Sequence, residues 1–173
     1  MKDVAVALSG EHSNLRAQEM PKMGKEELRN VLPYEIEQYL PINPEESVID
    51  FEIQGDSKAD PSKMSVLLAA GRLEAAEAMY KVTEQVKLNC RVIDIDDLAL
   101  TNMFQVNYAW EDDYKKVICL LNVGNRITSV IIFEDGEFRF NKPITIGGEM
   151  LTKDIQREFA LKSEQAEDLK KEQ

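Results

Sequence analysis

The sequence predicts an α+β fold made of two consecutive units. Through residue 107, short apolar runs alternate with stripes of apolar residues at helical spacing, so strands and helices are mixed. Three strand-like runs then follow one another between residues 117 and 146, and helical patterns come only after them. Residues 108–116 are polar and acidic without an apolar period, and we expect a linker there between units 1–107 and 117–173.

The first unit opens with two strand-like runs, Val4–Leu8 and Leu15–Met20. Because a short polar turn separates them, we expect the two strands to pair with each other. A helix is expected from near Gly24, and Pro33 should kink or divide it, since proline cannot donate the helical hydrogen bond. The apolar stripe that predicts this helix consists of Leu28, Val31, Leu32, Ile36 and Tyr39.

The rest of the first unit alternates strands and helices. Val48–Ile53 and Met64–Ala70 are predicted to form a hairpin, because both are apolar runs and the loop between them is polar. A helix follows Gly71, and Cys90–Ile95 is a further strand. Asp96 is placed to cap a short helix after that strand.

The second unit is predicted to be a meander followed by helices. Its three strands are Val117–Val123, Ile127–Glu134 and Glu137–Ile146. Asp135 and Gly136 between the last two are a strong hairpin signal, since both residue types accept the positive φ that the turn requires. Gly147 and Gly148 then lead into a helix, and Ser163 begins a last short one. Little of the chain is left to cover the second face of this sheet.

Composition and charge exclude several classes of protein. The net charge of −11 would repel phosphates, so we expect neither nucleic-acid binding nor attachment to anionic lipid. The apolar runs are too short to insert into a membrane, and the first residues lack the pattern of a secretory signal, which predicts a cytoplasmic protein. Cys90 and Cys119 lie in strand-like runs, so we expect reduced, buried thiols.

Several strings of residues, in order along nearly the whole chain, carry a family resemblance. In the first unit they are Met20-Pro21, Glu26-Glu27-Leu28, Tyr34-Glu35-Ile36-Glu37-Gln38-Tyr39-Leu40-Pro41, Val48–Phe51, Leu67-Leu68-Ala69-Ala70 and Val92–Ile95. In the second unit they are Leu121–Asn125, the Asp-Gly hairpin and Ile144–Thr152. These strings resemble the PilM family of type IV pilus assembly proteins. PilM is similar to the cell-division protein FtsA, and both have the actin-like (ribonuclease H-like) fold.

This resemblance implies an incomplete actin-like arrangement. Residues 1–107 would be the small α/β subdomain that is inserted in PilM and FtsA, and residues 117–173 would be the start of the second actin-like lobe. The family's first lobe would precede Met1, and the part that contacts adenine would follow Gln173. ATP and magnesium are therefore expected only in a full-length protein, and no cofactor is expected in this chain.

The resemblance also indicates where phosphates would lie. In actin-like folds, the second phosphate loop has an acid two residues before a glycine, and Asn122 replaces that acid here. Asn122, Gly124 and Asn125 would be vestigial phosphate contacts, together with Gly147 and Gly148 at a helix N-terminus. Asparagine brings no negative charge to a hydrated metal ion. Two plainer explanations stay open: an ordinary hairpin turn after Asn122, and close packing at the two glycines.

Partner binding is expected around the proline-rich exit of the first helix. In PilM-like proteins, a short N-terminal peptide of the membrane protein PilN docks between the first lobe and the inserted subdomain, so this chain would keep only one wall of that groove. The resemblance therefore implies contacts from Tyr34, Tyr39, Leu40, Pro41 and Ile42, although core packing would explain most of these. Exposed sheet edges also offer strand addition and self-association into a homo-oligomer.

These observations predict a non-catalytic scaffold of the inner-membrane platform of a type IV pilus. It would reach the membrane through PilN-like partners and contact other platform and motor proteins. His12 is the only histidine, and no cluster of histidine, cysteine and carboxylate groups has metal-ligand spacing. Three rivals stay open: a Mg-ATP-binding actin-like ATPase, the equivalent subunit of a competence or type II secretion system, and an FtsA-type protein, which would need an amphipathic membrane helix.

Overall fold

The computed structural model describes residues 2–108 and 115–172, which form eight β-strands and five α-helices. The strands are β1 Asp3–Leu8, β2 Ser13–Pro21, β3 Ser47–Asp56, β4 Lys63–Arg72, β5 Asn89–Ile95, β6 Val117–Val123, β7 Thr128–Glu134 and β8 Glu137–Ile144. The helices are α1 Lys25–Glu35, α2 Leu73–Gln85, α3 Asp96–Asn107, α4 Gly148–Phe159 and α5 Ser163–Lys171. Among the described helices, none is long and apolar enough to cross a membrane.

These strands form three sheets. β1 and β5 pair in parallel, while β2, β4 and β3 form an antiparallel sheet with β4 in the middle. β6, β7 and β8 form an antiparallel meander in chain order. The predicted β3–β4 hairpin, the meander and the mixed α/β character of the fold are therefore confirmed.

The predicted pairing of the first two strands is wrong. β1 pairs with β5, with Leu8 opposite Ile95, and β2 pairs with β4. Gly10 has a φ of +54°, and the 3₁₀ turn Gly10–His12 directs the chain out of the first sheet. Both observed pairings join segments that are far apart in the chain, and a local pattern of apolar residues carries no information about such partners.

A first core lies between α1 and the β2–β4–β3 sheet. Its buried residues are Met20, Leu28, Leu32, Ile36, Leu40, Met64, Val66, Leu68 and Ala70. The predicted helical stripe therefore does face the interior. Pro33 lies in the last turn of α1, and the helix ends two residues later, where a 3₁₀ turn takes over.

A second core joins the two predicted units. Leu67 of β4 is buried there with Ile131, Phe133 and Phe138 of the meander. The rings of Phe104 in α3 and Phe133 have centroids 5.9 Å apart. Residues from both sides of the predicted boundary thus pack in one core. Residues 109–114 of the predicted linker lie outside the described part of the chain.

Polar contacts hold the tip of the β7–β8 hairpin against the first unit. Asp135 and Gly136 have φ of 55° and 78°, as the Asp-Gly signal predicts. The Lys58 Nζ lies 2.5 Å from the Asp135 Oδ2, and the Gln105 Nε2 donates to the Gly136 carbonyl at 2.9 Å. The loop between β3 and β4 and the helix α3 therefore both contact this one turn.

The outer face of the meander is apolar and exposed in this chain. The residues on it that are more than half exposed are Val117, Leu121, Val123 and Phe140. Cys119 lies on the same face of β6 as Val117 and Leu121 and is exposed. The expectation of a buried thiol is therefore wrong for Cys119. Cys90 is partly exposed, and both cysteines are free.

Candidate functional site

The end of β6 and the turn after it contain three of the residues predicted as phosphate contacts. β6 and β7 are antiparallel neighbours, and the Gly124 N–H donates to the Ile127 carbonyl at 3.0 Å, which closes the turn. Asn122 lies opposite Ser129 in the ladder and is exposed. In its backbone geometry, the segment is a hairpin turn.

The beginning of α4 packs directly on this turn. The Gly148 N–H donates to the Gly124 carbonyl at 2.9 Å, and the Glu149 N–H donates to the Asn125 carbonyl at 2.8 Å. A Cβ on Gly147 would lie 2.5 Å from the Asn125 oxygen and 2.7 Å from the Gly124 oxygen, closer than a Cβ can approach. Four of the five predicted residues are thus brought together, and close packing explains why position 147 is a glycine.

A magnesium–nucleotide group does not fit these residues. The amides of Gly148 and Glu149 already donate to carbonyls of the turn, so they are not free to bind an anion. Asn122 supplies no carboxylate to hold a metal-bound water. Within the described ranges, three or more His, Cys, Asp or Glu side chains nowhere come together as a potential metal site.

Lys170 of α5 makes a polar network with α4 that the sequence did not predict. Its Nζ lies 2.6 Å from the Glu167 Oε2, 2.9 Å from the Thr152 Oγ1 and 3.3 Å from the Gly148 carbonyl. The Thr152 hydroxyl lies 2.7 Å from the same Glu167 oxygen. In the sequence, only the spacing of Glu167 and Lys170, one helical turn apart, indicates this network. Such pairs are common on exposed helix faces, so the spacing alone does not predict it.

Ion pairs on α4 and α5 shift the pKa of two carboxyl groups. Hydrogen bonds from Lys170 and Thr152 lower the pKa of Glu167 to about 2. A hydrogen bond from Lys153 lowers the pKa of Glu149 below its ordinary value, and the Lys153 Nζ lies 2.6 Å from the Glu149 Oε1. Both carboxyl groups are therefore charged near neutral pH. Of the two, only Glu167 joins α5 to α4, since the Glu149–Lys153 pair is internal to α4.

A cavity of about 540 Å³ lies between α4 and α5. The charged residues that line it are Glu149, Lys153, Glu164, Glu167, Asp168 and Lys171. Four acids against two lysines leave the wall negative, which disfavours phosphate. This cavity therefore gives no support for phosphate binding between α4 and α5.

The residues predicted to bind a partner divide between the core and the surface. Leu40 is only 3% exposed and is buried in the first core. Its prediction as a contact residue is therefore wrong, because its side chain packs in the interior of the protein. Tyr39 and Ile42 are partly buried against the same core. Tyr34 is 87% exposed, and Pro41 is also exposed. For these four residues, partner contact stays a prediction.

Pro41 and Ile42 line a groove of about 850 Å³. One wall is the connection from α1 to β3, and the other is the beginning of α2. The groove is lined by Asn14, Pro41, Ile42, Asn43, Glu45, Glu46, Ser47, Gly71, Arg72, Leu73, Glu74 and Glu77. Its volume lies in the range of binding clefts. Its lining is mainly polar, and Pro41, Ile42 and Leu73 are its apolar members.

The meander packs on the three-stranded sheet that α1 covers, and its last strand leads through two glycines into a helix. This arrangement places the chain among actin-like proteins. A family model described as "Type IV pilus assembly protein PilM" matches residues 1–173. The chain therefore belongs to the PilM family. A chain of the PilM–PilN type IV pilus biogenesis complex has the same fold, with a TM-score of 0.82 and 25% identity over 98% of this chain and 50% of that one.

More distant relatives share parts of this arrangement. FtsA of Bacillus subtilis strain 168 is 25% identical over an alignment of 173 positions, which covers 96% of this chain and 38% of that protein. FtsA of Pseudomonas aeruginosa is 28% identical over 79 residues, 45% of this chain and 19% of that protein. The cytoplasmic domain of EpsL, from the type II secretion system of Vibrio cholerae, shares the fold alone, with a TM-score of 0.53 and 14% identity over 92% of this chain and 57% of that one. The chain spans half or less of the PilM and FtsA proteins that it matches.

Replacing Gly147 with alanine should disrupt the contact between α4 and the turn. The new Cβ would overlap two backbone oxygens, and we expect unfolding free energy to fall by about 1–3 kcal/mol, measured in urea. Gly148→Ala is the matched control, because its Cβ would lie 3.3 Å from the flexible end of Lys170. We expect that variant to be neutral or more stable by up to about 1 kcal/mol. Equal losses in both variants would contradict the packing argument.

Replacing Glu167 with glutamine should remove an acid-sensitive part of the stability. Because the folded state lowers the pKa of Glu167 from 4.5 to about 2, its charged form stabilises the fold above about pH 4.5, and this contribution is lost as the pH falls toward 2. Thermal unfolding midpoints should therefore fall less with acid in Glu167→Gln than in wild type. Glu158→Gln, an exposed acid of α4, is the control. Parallel curves for wild type and Glu167→Gln would show that the network contributes nothing.

Proposed function

We propose that this chain is the partner-binding part of a cytoplasmic scaffold in the inner-membrane platform of a type IV pilus. The groove beside Pro41 and Ile42 carries the proposal, in a chain that matches the PilM–PilN complex over 98% of its length. A PilN-like membrane protein would place a short N-terminal segment in this groove. The role is one of binding and requires no catalytic group.

The construction of the groove supports a binding role. Its first wall begins at Pro41, directly after the buried Leu40, and its second wall begins at Gly71, directly after the buried Ala70. Both walls thus begin next to residues of the same close-packed core, and this core fixes the distance between them. Leu73 remains 38% exposed at the start of α2 and offers an apolar contact.

Binding can be measured by titration calorimetry of a PilN N-terminal peptide into the 173-residue chain and into the longest protein that contains it. Leu73→Ala should raise Kd about five- to tenfold, as truncation of a buried contact does. Leu121→Ala is the matched control, because Leu121 lies on the outer face of the meander and is 62% exposed. Absence of heat with the longer protein would rule out the role.

We also propose that this chain alone does not bind Mg-ATP. The engaged amides of α4 and the neutral Asn122 support this. Equilibrium binding of labelled ATP with magnesium should give no saturable signal, and Asn122→Asp should not restore one, since the amides stay engaged. Submicromolar binding by the wild-type chain would contradict the proposal. ATP binding by a longer protein remains a prediction of the resemblance.

The remaining expectations stay predictions. These are contact with other platform and motor proteins, self-association through sheet edges, and peripheral attachment to the inner membrane. A subunit of a type II secretion system has the same fold at a TM-score of 0.53, so fold alone does not separate the two systems. The neighbouring genes would separate them, since pilus and secretion genes are distinct.

A further inference from the structure

We propose that the groove selects its partner by charge, and that the segment it binds carries lysine or arginine beside apolar side chains. This inference rests on the proposed function, since it concerns the same groove. The lining contains four glutamates, Glu45, Glu46, Glu74 and Glu77, and one arginine, Arg72. Four negative charges and one positive charge leave a net charge of −3 around one cleft.

Three of these carboxylates are available to a partner. Glu45, Glu46 and Glu74 are exposed and have no salt-bridge partner within residues 2–108 and 115–172. Glu77 differs, because its Oε2 lies 3.2 Å from the Lys81 Nζ one helical turn further along α2. A cation that enters the groove would therefore meet three acids without first breaking an internal ion pair.

The local backbone holds the acids on both sides of the groove. The Asn43 Oδ1 accepts a hydrogen bond from the Glu45 N–H at 3.1 Å and caps the 3₁₀ turn Pro44–Glu46, which carries two of the acids. On the opposite wall, Glu74 and Glu77 are three residues apart in α2 and therefore share one helix face. Negative charge is thus placed on both walls of the groove, which Ile42 and Leu73 also line.

The chemistry of a membrane partner matches this charge. Segments of membrane proteins that lie close to the cytoplasmic side of a bilayer are enriched in lysine and arginine. A short tail of that kind combines apolar and positively charged residues, which are the two features that the groove would recognise. Opposite charge would speed the encounter and exclude acidic tails. The occupant to which we commit is therefore a basic, juxtamembrane tail of a single membrane-anchored partner.

The test compares three synthetic peptides in fluorescence anisotropy: a PilN N-terminal peptide, the same peptide with two added lysines, and the same peptide with two added glutamates. At low salt, the lysine peptide should bind about fivefold or more tightly than the glutamate peptide. The preference should shrink as salt is raised from about 50 to 500 mM, because salt screens exposed charges.

Two triple variants distinguish the effect of the charges in the groove from the effect of the protein's overall negative charge. Glu45→Gln/Glu46→Gln/Glu74→Gln should abolish most of the lysine preference. Glu27→Gln/Glu52→Gln/Glu158→Gln removes the same charge from exposed acids outside the groove and should leave the preference intact. Unfolding midpoints of both variants check that each remains folded.

The possible outcomes have distinct meanings. Equal affinity for all three peptides, or an equal loss of preference in both triple variants, would overturn charge selection by the groove while leaving the scaffold role standing. Absence of binding of every peptide, both to this chain and to the longest protein that contains it, would overturn the scaffold role and this inference together. A lysine preference that only the groove variant loses would support both.

Discussion

Both cores of the protein depend on the strand β4, which is apolar on its two faces. Val66, Leu68 and Ala70 face the core under α1, while Leu67 faces the meander. β4 is also the middle strand between β2 and β3, so its register is set from both sides. A shift of one residue would exchange its faces and misplace both cores at once. Each fully buried side chain of this kind contributes about 1.5–3 kcal/mol.

The groove and the second sheet take their positions from these cores. The groove walls begin directly after Leu40 and Ala70, so the buried residues set the place of the exposed ones. On the other side of β4, the Asn141 Nδ2 donates to the Asp97 Oδ2 at 2.8 Å and ties β8 to α3. Asp97 is only 5% exposed, and its second oxygen has no partner among the described residues. A buried carboxylate with one partner is costly, which makes this contact sensitive to any separation of the two elements.

The turn after β6 illustrates how packing and anion binding compete for the same groups. An amide at a helix N-terminus can donate to a phosphate or to a carbonyl of the protein, but one N–H makes one strong bond. Here the amides of Gly148 and Glu149 donate to the turn, and Gly147 allows the backbones to approach closely enough for those bonds. The same pair of glycines would be expected from either use, so their presence alone does not distinguish a nucleotide site from a packed joint.

The sequence by itself determined the local features: most of the strands and helices, the Asp-Gly hairpin, the meander, the helix after Gly148 and the resemblance to the PilM family. These follow from periodicity, turn chemistry and ordered strings of residues, which act over a few positions. Only the tertiary structure decided that β1 pairs with β5, that Leu40 is buried, that Cys119 is exposed and that Lys170 reaches α4. It also brought Gly124 and Gly148 into contact, although each was predicted separately. The physical reason is the same in each case: these contacts join segments distant in the chain, and their free energy comes from burial and packing that no short stretch of sequence contains.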